Sequence, residues 1–63
     1  MIEFRVEDMS CGHCASVITK TVRELDALAK VEVDLGSKMV RIETSQDRAT
    51  LAQALDEAGY PTA

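Results

Sequence analysis

The hydrophobic period of this chain switches between two and about 3.6, and the order of the switches narrows the available folds. Ile2, Phe4 and Val6 alternate with Glu3, Arg5 and Glu7, the pattern of a strand with one wet face. A period-3.6 stripe follows through Cys14, Val17, Ile18, Thr21, Val22, Leu25 and Leu28, which predicts a helix over about residues 13–25. Alternation returns over Lys30–Leu35, with Val31, Val33 and Leu35 inward. It resumes over Lys38–Thr44, with Val40 and Ile42 inward and Met39 on the outward face. Gly36-Ser37 between these runs is a turn dipeptide, so the two form an antiparallel hairpin. Ser45-Gln46-Asp47 supplies capping side chains for a second helix with Leu51, Ala52, Leu55 and Ala58 as its apolar stripe. Gly59 stands where a left-handed C-cap takes glycine, and Pro61 limits any fourth strand to a short edge. The expected class is α+β, with two helices on one face of an antiparallel sheet.

With 63 residues the chain makes one domain, residues 1–63, and is too short to build a substrate cleft lined by converging side chains. Phe4 and Tyr60 are the only aromatic residues, and the net charge is −4. Nucleic-acid binding calls for a basic patch and stacking rings, so that class is disfavoured. No apolar run approaches the length of a membrane span, which argues against direct membrane insertion. The residues after Met1 lack the basic and apolar regions of a signal peptide, so the chain is expected to be a complete cytoplasmic protein. A reducing cytosol keeps thiols reduced, and a bridge between Cys11 and Cys14 would close too small a loop to restrain the unfolded chain much. The two cysteines are therefore read as chemical rather than structural.

That chemistry lies in Cys11-Gly12-His13-Cys14, between the first strand and the first helix. A helix N-terminus carries partial positive charge and unpaired N–H groups, which favour thiolates. Two soft donors at one helix end suit Cu(I) best among biological metals, and Gly12 would let the loop wrap closely around the ion. A closed zinc site wants four ligands, whereas this chain offers two thiolates and a single histidine, His13, poorly placed between them. A zinc- or cadmium-binding buffer using the same thiolates with water or a carboxylate is one alternative. A thiol–disulfide oxidoreductase is another, since Cys-x-x-Cys also serves that chemistry. Ser10 before Cys11 and the position of Pro61, the only proline, argue against it. Around the pair, Met9 is read as packing beside the turn, with a thioether ligand as the rival role. His13 is read as solvent-facing, with an auxiliary ligand or charge as the rival. The acidic residues are read as a solvated face, and Lys20, Arg23 and Lys38 as too scattered to define a docking patch.

Met9-x-Cys11-x-x-Cys14 after the first strand and Glu57-Ala58-Gly59-Tyr60 at the end of the second helix resemble the heavy-metal-associated domain family, in particular its small soluble bacterial copper chaperones. The resemblance covers nearly the whole chain. It implies a ferredoxin-like βαββαβ open-faced sandwich whose last strand is here short or absent. It also implies Cys11 and Cys14 as Cu(I) ligands, with no enzymatic activity. Delivery would be to the soluble metal-binding domains of a copper-transporting P-type ATPase, and a metal-bridged homodimer is a further expected partner state. Zinc- and cadmium-handling relatives often carry aspartate where Ser10 stands, so Ser10 leans toward copper. Tyr60 matches the bacterial copper form, and it is read either as a half-buried hydrophobe or as a ring and hydroxyl that shield the thiolates.

Overall fold

The computed structural model describes residues 1–10 and 12–62. Its elements run β1 (Ile2–Arg5), α1 (Gly12–Leu25), β2 (Lys30–Asp34), β3 (Met39–Glu43) and α2 (Arg48–Glu57). The three strands form one antiparallel sheet in the order β1-β3-β2. The central strand sets the register, with Phe4 and Val33 opposite Val40, and Ile2 and Val31 opposite Ile42. Both helices bury their apolar stripes against that face. The core joins Phe4, Val6, Val40 and Ile42 of the sheet side to Ile18 and Val22 of α1 and to Leu51 and Leu55 of α2. Among the described residues there is no fourth strand, in keeping with the short last strand expected from Pro61.

Side-chain chemistry fixes where the elements stop. Asp26 ends α1: its carboxylate accepts from the Leu28 amide (3.0 Å) and from the Thr44 hydroxyl (2.6 Å), tying the helix exit to the end of β3. The sequence stripe continued to Leu28, but this Asx turn takes the chain out of the helix a turn earlier. Leu28 consequently stands 90 % exposed, Leu25 is at the rim, and Ala29 fills the core position instead. Asp34 acts similarly at the hairpin, accepting from Gly36 N and Ser37 N at 3.0 and 3.3 Å. The chain turns directly after it, so Leu35 lies in the loop and not on the inner face. Val31 and Val33 do face inward but are only half-buried, because β2 is an edge strand.

Asp47 caps α2, its side chain accepting from Thr50 N at 2.7 Å. At the other end Gly59 N donates to Asp56 O and Tyr60 N to Leu55 O. This is the paired 5→2 and 6→1 pattern of a Schellman motif, and Gly59 supplies its left-handed residue at φ +93°. The motif turns Tyr60 back so that it packs half-buried against the core. On the outer face of the sheet, Arg41 lies in register between Glu3 and Glu32, and Lys30 faces Glu43. Opposite charges on neighbouring strands suit a solvated face. The outer edge of β1 is partly covered by Arg48, which donates to Glu3 O (2.7 Å) and lies 4.5 Å from the centre of the Phe4 ring. A capped edge of this kind discourages strand addition.

Candidate metal centre

Strand β1 leads through Val6 into a turn closed by Met9 N donating to Val6 O at 3.2 Å. Ser10 follows, exposed, and α1 begins at Gly12. Cys14 is therefore the third helical residue, and its side chain is recessed to 8 % exposure on the edge of the core. No acidic side chain stands in the first turn of α1, so no carboxylate there offsets the positive end of the helix dipole. Cys11, the other expected ligand, lies outside the described residues. Among the described residues no three histidine, cysteine or carboxylate side chains converge as a further metal-binding group.

The auxiliary candidates separate by depth. Met9 is fully buried and belongs to the core beneath the loop, which holds its thioether among apolar side chains. His13 is exposed on the first turn of α1, as is Ser10 before it. Tyr60 is half-buried at the end of α2. The residues after it, Pro61 and Thr62, share a shallow recess of about 200 Å³ with Glu7 and Asp8, so the C-terminal segment lies beside the turn that leads into the loop. Gly12 has no left-handed dihedral, and a side chain built on it would meet nothing within 4 Å. The fold by itself does not require glycine there.

One residue of this region was not legible as such. Lys38 is the last residue before β3 and adopts φ +62°. Its backbone oxygen accepts from Val6 N at 2.8 Å, and its ammonium donates to Met9 O at 2.6 Å. Read in the sequence only as too scattered with Lys20 and Arg23 to define a docking patch, it ties the hairpin to the turn that leads into α1. The sequence offered one faint signal, a lysine directly after Gly36-Ser37 at the point where alternation resumes.

Comparison with known proteins places this arrangement in a family. The heavy-metal-associated domain model matches residues 3–61. A copper chaperone CopZ of Bacillus subtilis is 34 % identical over 62 residues, covering 94 % of this chain and 90 % of that protein. A solved structure of the copper chaperone Atx1 from Synechocystis superposes with a TM-score of 0.98 at 38 % identity, over 100 % of both chains. A solved gold binding protein superposes at 0.95 with 42 % identity, covering 98 % of this chain and 95 % of its own. With its family model matched nearly end to end, and with relatives above 30 % identity that it covers almost completely, the chain belongs to the heavy-metal-associated domain family.

Proposed function

We propose that residues 1–63 act as one carrier domain for Cu(I), held by the thiolates of Cys11 and Cys14. The observation that carries this reading is Cys14. It is fixed in the first turn of α1, recessed at the core edge and three residues from Cys11, in a chain similar over its length to copper chaperones. Binding releases the two thiol protons, so a site that starts fully protonated becomes one unit more negative on loading, and affinity falls as pH drops. Two-coordinate Cu(I) leaves room for an entering ligand. A thiolate of a partner joins to give a three-coordinate intermediate, one of the carrier's thiolates departs, and the ion moves across without redox change. The receiving partner is a soluble metal-binding domain of a copper-transporting P-type ATPase in the cytoplasm, and the chain has no catalytic role. A second copy offers the same thiolates, so a metal-bridged homodimer forms when loaded chain is in excess of acceptor. His13, Ser10 and Tyr60 are the side chains that would line its contact.

Likeness to a gold binding protein supports a preference for soft thiophilic metals in general over zinc. An anaerobic competition titration tests both points, with Cu(I), Au(I), Zn(II) and Cd(II) added against a chromogenic chelator. One Cu(I) per chain should bind and withstand equimolar Zn(II), and Cys11→Ser with Cys14→Ser should abolish stoichiometric uptake. Wild-type affinity in the double variant would refute the assignment. Preferential retention of Zn(II) or Cd(II) would establish the buffer instead, and disulfide-reductase turnover comparable to thioredoxin would establish the redox reading.

A further inference from the structure

The turn Val6-Glu7-Asp8-Met9 is bracketed by a single residue from the other side of the sheet. Lys38 accepts from Val6 N through its backbone oxygen (2.8 Å) and donates to Met9 O through its ammonium (2.6 Å). It holds both ends of the turn that leads into the metal loop, and it is half-buried in doing so. It is also the only non-glycine residue at positive φ among the described residues. A left-handed dihedral is disfavoured for lysine, and glycine would occupy that hairpin position without strain. An unfavourable backbone state that persists where the side chain makes a specific bond marks a position held for that bond.

We propose that Lys38 is a positioning residue for the metal site: its ammonium on the Met9 carbonyl fixes the turn that leads into α1 and Cys14, so that this segment is organised before metal arrives. The proposal rests on the copper-carrier reading above. It predicts that removing the ammonium loosens the loop without unfolding the domain. In Lys38→Met the stem and the strained dihedral remain but the donor is gone. In Lys38→Gly the donor is lost and the dihedral is relieved. Lys38→Arg keeps a cationic donor.

The experiment combines amide hydrogen exchange of the metal-free protein with Cu(I) affinity measured by chelator competition. In Lys38→Met and Lys38→Gly, the Val6 and Met9 amides, which donate to Lys38 O and Val6 O, should exchange about tenfold faster and Cu(I) affinity should fall about tenfold, the low end of what one charge-assisted hydrogen bond supplies. Exchange at Leu51 and Leu55 in α2 should stay as in the wild type, and Lys38→Arg should recover most of both effects. Lys38→Gly should melt no lower than Lys38→Met while binding copper equally poorly, a split that a merely structural role would not produce. Loop exchange and affinity within twofold of the wild type in both variants would overturn the positioning role while leaving the copper reading intact. Failure of the wild type itself to take up Cu(I) would overturn both.

Discussion

Two glycines of this chain test the local reasoning in opposite directions. At Gly12 and at Gly59 an added Cβ meets nothing within 4 Å, so neither substitution causes a clash. They differ in backbone: Gly59 sits at φ +93°, whereas Gly12 opens α1 without a left-handed dihedral. Gly59→Ala therefore places a side chain in left-handed space, at a cost of about 1–2 kcal/mol. A domain of this size has a total stability of roughly 3–9 kcal/mol, and each kcal/mol moves its midpoint by about 4–8 °C. Thermal unfolding followed by far-ultraviolet circular dichroism should thus show Gly59→Ala melting roughly 5–15 °C below the wild type. Gly59→Asn should recover part of the loss, because asparagine tolerates that conformation, and Gly59→Val should be worst. Gly12→Ala should melt at or slightly above the wild type, since it removes backbone entropy at a helical position for a gain of at most about 1 kcal/mol. A Gly59→Ala midpoint within about 2 °C of the wild type would refute the reasoning, and so would equal losses at both positions.

The remaining predictions concern the core, the sheet edge and acid. Ile18→Ala opens a cavity between α1 and the sheet at a fully buried position and should cost about 2–5 kcal/mol, read as a lowered urea midpoint at unchanged slope. Arg48→Met removes the donor to Glu3 O and the cation over Phe4, and should cost about 1 kcal/mol by the same assay. Asp26, Asp34 and Asp47 are each held below the ordinary carboxylate value. The Thr44 hydroxyl is the main cause at Asp26, the Ser37 amide at Asp34, and the Thr50 side chain and then its amide at Asp47. The native state therefore binds fewer protons than the unfolded chain. Its advantage is complete above the unfolded value, near 4, and drains away as pH falls through the lower folded values. Urea midpoints between pH 5 and pH 2 should fall more steeply in the wild type than in a variant carrying asparagine at all three positions; equal slopes would show that these bonds carry no pH dependence.

The order of elements was legible because each amphipathic run has one period and a clear breaker. The run Ser45-Gln46-Asp47 and Gly59 announced both ends of α2 by residue type, and the structure picks Asp47 as the cap. Errors fell where a side chain bonds its own backbone. The first helix ends at Leu25 as expected, but the apolar stripe ran on to Leu28, which the Asp26 turn leaves outside the core, and the Asp34 turn ends β2 before Leu35. Periodicity counts apolar residues and is blind to an Asx turn two residues on. At the site, the cysteine pair is a contiguous motif in the sequence, and the expected helix start near residue 13 agrees with Cys14 as the third residue of α1. Lys38 was not legible, because its role comes from the hairpin bringing it back to a loop 29 residues earlier. The left-handed cap expected at Gly59 is borne out by its φ of +93°, whereas the ordinary dihedral of Gly12 was not legible in the sequence.

X-ray absorption at the copper edge, on the one-to-one Cu(I) complex kept dilute enough to stay monomeric, addresses the central claim most directly. The account predicts a low-coordinate ion with a first shell of two sulfur atoms, and loss of that shell when Cys11 and Cys14 are both serine. A first shell containing nitrogen or oxygen, or one that survives the double substitution, would contradict it.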